Sequence, residues 1–307
     1  MTEDALWLVF IVIFMTMIVL DLGVVNRGDK QISTRRAVNM TVFFVAVALL
    51  FGFLIYTELG SEKAVTYCST YVIELMMSVD NLFVFIIIFS MFSVRPENQH
   101  KVLFWGILGA VFFRAAFIFV GAALLNEFEF VMYIFGIILI YVAYKTVVGD
   151  DGGPKKDSIP VKLSRHIRAS PEPDGDKFIT VRDGIRMATP MLICLVVIEL
   201  SDIMFALDSI PAALAITTDT FIVYSSNILA VMGLRSMYFA LSGAMCSLSY
   251  LKYGLGVILG FIGVKMLLND VVRISPAESL MFIMAVLIVT VATSYFIKPK
   301  YGAEKEL

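Results

Sequence analysis

Long apolar runs separated by short polar connections dominate this sequence. Nine of the runs are long enough to cross the hydrocarbon core of a bilayer as a helix, which takes about 17–25 residues. The runs lie at 5–25, 38–57, 67–92, 102–125, 131–149, 187–215, 220–246, 250–268 and 277–297. The pattern predicts an all-α fold, a polytopic membrane helix bundle of about nine spans.

The charges of the connections predict the orientation of the spans. Basic residues are concentrated in segments 26–37, 93–101 and 150–186 and in the tail after 297, whereas the connections between these segments are acidic or neutral. Lys and Arg favour the cytoplasmic side of a membrane. With nine spans the basic segments all fall on one side, so we expect the N-terminus outside and the C-terminus in the cytoplasm.

Segment 150–186 is the one long hydrophilic stretch, and it divides the chain into two halves that repeat. Its Gly, Pro and charged residues predict a flexible cytoplasmic linker. Residues at fixed offsets recur in the two halves: Tyr133, Gly136, Leu139, Lys145 and Asp150 match Tyr253, Gly256, Leu259, Lys265 and Asp270, Arg114 matches Arg235, and Ile73-Glu74-Leu75 matches Ile198-Glu199-Leu200. Because three spans per copy is an odd number, the copies must be inverted, as in many transporters.

The repeat gives a division of the chain into five regions. They are two N-terminal spans in 1–66, a first three-span repeat in 67–149, the linker 150–186, an inverted three-span repeat in 187–270, and the last span with a cytoplasmic tail in 271–307. Transporters built from inverted repeats hold their substrate near the membrane midplane between the copies. We expect a substrate site there.

Composition supports a membrane protein and excludes several functions. The chain is 59% hydrophobic and only 16% charged, whereas soluble domains are about 25% charged. The lipid bilayer is therefore an expected partner, and a net charge of −2 gives no reason to expect nucleic acid. Cys68, Cys194 and Cys246 lie in different apolar runs and form no dithiol motif.

Five carboxylates lie within the predicted spans, where each costs at least about 2.5–3.5 kcal/mol if it is left uncompensated. Glu74 and Asp80 are in the third span, and Glu199, Asp202 and Asp208 are in the sixth. Either a bound cation or pairing with arginines inside the spans could compensate them.

Charge counting favours a bound cation. Arg114 and Arg235 are the arginines that lie well inside predicted spans, and two cations cannot neutralise five carboxylates. The surplus suits a divalent ion together with one protonated carboxyl group. The alternative, in which the arginines serve as counter-charges while the site is empty, stays open.

The spacing of the acids predicts broken helices. Glu74 and Asp80 are six residues apart, and Asp208 is nine residues past Glu199, so straight helices would turn these side chains in different directions. Pro211 removes the hydrogen bond to the carbonyl four residues earlier. We therefore expect both spans to be discontinuous near the midplane.

The available donors indicate a hard metal ion. Carboxylates, the Asn81 amide, the Ser209 hydroxyl and backbone carbonyls suit Mn, Ca or Mg. Neither His100 nor His166 lies in a predicted span, which argues against a typical Zn or Cu site. Three methionines lie near the acids: Met76, Met77 and Met204. We expect them to pack within the bundle; the alternative is that their sulfur atoms soften the site and favour Mn.

Three further charged residues lie close to the ends of spans. Lys145 and Lys265 are expected to extend their ammonium groups to the membrane interface. Asp21 ends the first span, either at the interface or along an exit path, and the sequence favours neither reading.

The acidic motifs resemble those of the TerC family, which includes the Alx-type proteins and belongs to the LysE-like transporter superfamily. The resemblance extends over nearly the whole chain. The motifs that carry it are Glu74-(x5)-Asp80-Asn81, Glu199-Leu200-Ser201-Asp202-x-x-Phe205-Ala206-x-Asp208-Ser209-Ile210-Pro211 and Gly233-Leu234-Arg235-x-Met237-Tyr238-Phe239.

That resemblance implies export of Mn(II) across the bacterial cytoplasmic membrane, although family members have also been linked to tellurium resistance, redox modulation and calcium. The implied metal-handling residues are Glu74, Asp80, Asn81, Glu199, Asp202 and Asp208. We expect no permanently bound cofactor, since Mn(II), or Ca(II) as the alternative, would be cargo.

Secondary transport driven by proton exchange is the function that the sequence favours. No phosphate-binding loop of an ATPase is present. No G-x-S-x-G, H-E-x-x-H or cysteine-pair motif indicates an enzyme. The alternatives are a membrane redox modulator and a scaffold, such as one for tellurium resistance, that does not transport.

Overall fold

A computed structural model describes residues 3–25, 32–120, 129–148, 169–170, 173–182, 184–245, 250–268, 271–272 and 274–296. Ten helices and one hairpin make up this described part. The helices are α1 (Glu3–Val25), α2 (Thr34–Leu59), α3 (Ser61–Met91), α4 (Pro96–Val120), α5 (Glu129–Val148), α6 (Pro190–Ile216), α7 (Thr220–Met232), α8 (Leu234–Met245), α9 (Leu251–Leu268) and α10 (Pro276–Phe296).

The predicted all-α membrane bundle is confirmed. Seven segments of the described chain are long and apolar enough to cross a membrane, and Tyr133–Val148 of α5 is a shorter apolar helix. The remaining predicted span is the 18-residue α9. The run at 220–246 is two helices, α7 and α8, which a turn at Gly233 separates.

The helices in the middle of the bundle carry the acidic residues. Of the residues in the α3 span, 67% are buried inside the protein. The share is 56% in the α6 span and 17% in the α10 span. Outer helices instead expose large apolar side chains, such as Leu50 of α2 and Ile288 of α10. Lipid can cover these outer faces, whereas the acids of α3 and α6 must find partners within the protein.

The prediction of broken helices is wrong. Helix α3 runs for 31 residues through Asp80, and α6 runs for 27 residues through Asp208 and Pro211. Proline removes a single backbone hydrogen bond, and transmembrane helices tolerate that loss where neighbouring groups compensate. Four of the five acids contact a cation on another helix, so the backbone does not have to unwind around them.

Two other local expectations also need correction. Helix α4 begins at Pro96, so His100 lies inside a candidate span rather than outside one. The predicted linker is also not wholly irregular, because β1 (Ile179–Arg182) pairs antiparallel with β2 (Ile185–Ala188). Alternating Ile-Thr-Val-Arg followed by Asp-Gly is a strong hairpin signal that could have revealed these strands.

The hairpin region is attached to the start of α4. The Lys101 ammonium lies 2.8 Å from the Asp176 carboxylate, and this hydrogen bond lowers the pKa of Asp176. Gly184 has a φ of 76°, a backbone conformation that favours glycine. Several other predicted features lie outside the described residues: linker residues 150–168, 171–172 and 183, the tail 297–307, His166, Cys246, and the repeat positions Asp150 and Asp270.

Helices α5 and α9 cross at glycines. A Cβ atom on Gly263 would lie 2.8 Å from the Gly136 carbonyl oxygen and 3.2 Å from the backbone nitrogen of Ile140. Further along, Gly256 faces Val147, so the two helices run antiparallel. Inverted copies require this orientation for equivalent helices, but the correspondence of the two copies stays a prediction.

We expect Gly263→Ala to lower the free energy of unfolding by about 1–3 kcal/mol, because overpacking here would push two backbones apart. Gly260 is the matched control on the same helix, since its Cβ would lie 3.9 Å from Ala143. Denaturation in mixed micelles measures both variants. Equal stability of Gly263→Ala and Gly260→Ala would contradict the close crossing.

Candidate functional site

A fully buried arginine joins α3, α4, α6 and α7. Arg114 of α4 has 0% exposure, and its Nη1 donates hydrogen bonds to Glu74 Oε1 and, at 3.0 Å, to Asn227 Oδ1. Its Nε donates to Asp202 Oδ2 and its Nη2 donates to Asp202 Oδ1, each at 3.2 Å. Two of the predicted metal ligands are thus counter-ions of Arg114 in this structure.

A buried lysine lies between two other predicted ligands. The Lys265 Nζ of α9 is 3.5 Å from Asp80 Oδ2 and 3.7 Å from Asp208 Oδ2. Ser279 of α10 also donates a hydrogen bond to Asp80 Oδ2, at 3.3 Å. Lys265 is only 8% exposed, so its predicted extension to the interface is wrong: the two carboxylates keep its ammonium inside. Lys145, by contrast, is exposed.

A small cavity lies beside both cations. Its volume is about 20 Å³, which is enough for roughly one water-sized particle. Its polar lining consists of Glu74, Asp80, Asn81, Arg114, Asp208, Ser209 and Lys265. Met77 and Met204 also line it, whereas Met76 does not.

Four oxygen atoms of the cavity-lining residues are buried without a hydrogen-bond partner among the described residues. They are Glu74 Oε2, Asp80 Oδ1, Asn81 Oδ1 and Ser209 Oγ. A buried polar atom left unpaired costs about 1–3 kcal/mol, and more when it is charged. These hard donors are of the kind that a bound cation would satisfy.

The structure brings four of the six predicted ligands to the cavity and leaves two outside it. Glu74, Asp80, Asn81 and Asp208 line the cavity, and Asp202 contacts Arg114 beside it. Glu199 lies against α4, where a Cβ on Gly109 would come within 2.1 Å of its Oε1. Within the described chain, no three His, Cys, Asp or Glu side chains are grouped closely enough to hold a metal ion.

The second membrane arginine has a different partner. Arg235 of α8 pairs with the Asp21 carboxylate and donates to the Asp21 backbone oxygen at 2.8 Å. Both residues are buried, so Asp21 is paired inside the protein, and its place at the interface or along an exit path stays a prediction. Arg235 therefore neutralises none of the five acids that the sequence assigned to a site.

The observed pairing changes the charge count of the site. Four carboxylates contact Arg114 or Lys265, and these two cations leave two negative charges when every group is ionised. The charge count made from the sequence included Arg235 and Glu199 in the site and left out Lys265. Lys265 lies in an apolar run, at an offset that recurs in both halves of the chain. This pattern could have identified Lys265 as a residue of the site.

Known proteins resemble this chain over nearly its full length. The family model "Integral membrane protein TerC family" matches residues 59–301. An uncharacterised membrane protein of Myxococcus xanthus is 42% identical over 294 residues, which cover 95% of this chain and 92% of that protein. An uncharacterised membrane protein of Rickettsia felis is 38% identical over 295 residues, covering 94% and 96% of the two chains.

A protein of Escherichia coli K12 with the name Alx, given as a candidate membrane-bound redox modulator, is 36% identical over 311 residues, covering 98% of this chain and 97% of its own. No solved structure matches the chain. The family match covers most of the chain, including the acidic segments of α3 and α6. This protein therefore belongs to the TerC family of integral membrane proteins.

Proposed function

We propose that this protein exports a divalent metal ion, Mn(II) foremost, across the bacterial cytoplasmic membrane by secondary active transport. The observation that carries the proposal is the set of four buried, unpartnered oxygens on residues that line one small cavity. Carboxylate, amide and hydroxyl oxygens are the donors that hard divalent cations prefer. A water-sized cavity suits a cation that has lost its hydration shell.

The charge of the site supports a divalent ion over a monovalent one. Four carboxylates outnumber the two cations that contact them, so a divalent ion offsets more of the excess negative charge than a monovalent ion does. Met77 and Met204 add thioether sulfur to the lining, which favours Mn(II) over Ca(II) or Mg(II). Ca(II) also takes six to eight oxygen ligands, and the described lining offers few that are free.

The energy for export would come from an ion gradient. The sequence has no phosphate-binding loop, and proton exchange is the coupling that we propose. With the N-terminus outside and the C-terminus in the cytoplasm, the metal would enter from the side that carries the basic connections.

Transport can be measured in proteoliposomes that contain a Mn-sensitive dye. We expect the parent protein to carry Mn(II) across the membrane faster than protein-free vesicles, and a pH gradient to accelerate the flux. Mg(II) and Ca(II) in excess should compete weakly. Equal dye responses with and without protein would contradict the proposal and favour a scaffold.

The name of the Escherichia coli relative raises redox modulation as the alternative, and the same assay separates the two. Cys68 of α3 and Cys194 of α6 are free thiols on separate helices. A variant with serine at positions 68, 194 and 246 should retain Mn(II) flux, because neither of the described cysteines, Cys68 and Cys194, lines the cavity. Loss of flux in a folded triple variant would favour thiol chemistry.

A further inference from the structure

We infer that Lys265 is the site's own counter-cation, which the transported metal displaces from Asp80 and Asp208. The inference rests on the proposed transport function. The ammonium of Lys265 lies between carboxylates of α3 and α6. A metal ion that binds both carboxylates must compete with it for the same oxygens.

The contacts of Lys265 are those of a loosely held cation. Its distances of 3.5 and 3.7 Å to Asp80 and Asp208 exceed the 2.7–2.9 Å or so of a strong charge-assisted hydrogen bond. Arg114 differs, because its guanidinium makes four hydrogen bonds to three side chains. Arg114 is thus fixed in place, whereas a lysine is a point charge on a flexible stem.

Helix α9 offers the displaced ammonium another position. Lys265 lies in the last turn of α9, where unpaired carbonyl groups give the helix end a partial negative charge that favours cations. Rotation of the four-carbon stem toward that end would take the charge away from the acids without a backbone movement. Lys265 can therefore leave the carboxylates for a position that also favours a cation.

Lys145 provides a control within the same chain. It has the same offset in the first half of the sequence and also lies in the last turn of its helix, α5. Its side chain is exposed, and it is absent from the cavity lining. If a lysine merely anchored each helix at the interface, the two residues would behave alike.

Removing the competitor should strengthen metal binding while slowing transport. If Lys265 contacts the two acids about nine-tenths of the time, only about a tenth of the protein is free to bind the metal. We therefore expect Lys265→Met to lower the Kd for Mn(II) by about tenfold. Net export should fall, because the empty carrier would return with Asp80 and Asp208 uncompensated. Lys145→Met should change neither quantity.

Equilibrium binding of Mn(II) to the purified full-length protein, read as free Mn(II) by electron paramagnetic resonance, tests the inference. Lys265→Arg keeps the charge and should not bind more tightly than the parent. An unchanged or higher Kd in Lys265→Met, with normal binding by the parent, overturns the role of Lys265 and leaves the proposed transport intact. Failure of the parent to bind Mn(II) overturns both.

A second measurement uses the parent protein and so does not depend on the folding of a variant. Displacement should make the Lys265 amine more accessible, so saturating Mn(II) should increase its labelling by a membrane-permeable acylating reagent several-fold. Labelling of Lys145 should stay constant. Unchanged or reduced labelling of Lys265 while Mn(II) is bound overturns the inference.

Discussion

Replacing Arg114 with methionine is expected to lower the free energy of unfolding by about 3–5 kcal/mol, which is the usual cost of breaking a buried ion pair. The variant leaves Glu74 and Asp202 buried in a bundle from which their counter-charge has gone. It also removes a hydrogen bond to Asn227. Denaturation in mixed micelles and the yield of folded protein measure the loss.

Two further variants show whether the loss comes from unpaired charge. Arg186→Met removes an exposed arginine from the hairpin, and it should stay within about 0.5 kcal/mol of the parent. Adding Glu74→Gln and Asp202→Asn to Arg114→Met should restore most of the stability, because no buried charge is then left alone. Parent-like stability of Arg114→Met would show that Arg114 does not compensate these acids.

The largest effect on activity is expected from the carboxylates beside Lys265. Asp80→Asn and Asp208→Asn should each reduce Mn(II) flux by at least about 100-fold, since even residues that only support a metal ligand typically contribute 10–100-fold. Each change keeps the side-chain shape and removes one negative charge from the cavity lining. Proteoliposome flux, with circular dichroism as a check of folding, measures the effect.

Asp219→Asn is the matched control for these two variants. Asp219 caps α7 by accepting hydrogen bonds from the backbone N–H groups of Phe221 and Ile222, and it lies outside the cavity lining. Asparagine caps helices about as well as aspartate, so flux should remain near the parent value. Equal flux in Asp80→Asn, Asp208→Asn and the parent would refute a carboxylate site.

Local pattern was enough to place most of the helices and the acids. Apolar runs of sufficient length gave the membrane bundle, because backbone in lipid must satisfy its own hydrogen bonds. The acids of α3 and α6 were identified because their cost in a membrane is high wherever they lie. The β1–β2 hairpin was also readable from its Asp-Gly turn, and assigning that segment to a flexible linker missed it.

The partners of the acids could not be read from local pattern. From the sequence, Arg114 and Arg235 were equally good candidates to pair with these acids. In the structure Arg235 pairs with Asp21 instead. Helical geometry suggested that acids six residues apart could share a site only if the helix broke. In the structure α3 stays intact, and its acids Glu74 and Asp80 contact different cations.

The sequence by itself determined that this chain is a membrane protein of the TerC type with carboxylates in two of its central spans. Only the tertiary structure decided which charges meet. Asp80 contacts Lys265 and Ser279, which lie 185 and 199 residues further along the chain. Pairing at such separations depends on how helices pack and on which faces they turn inward, whereas crossing a membrane depends on the composition of each segment alone.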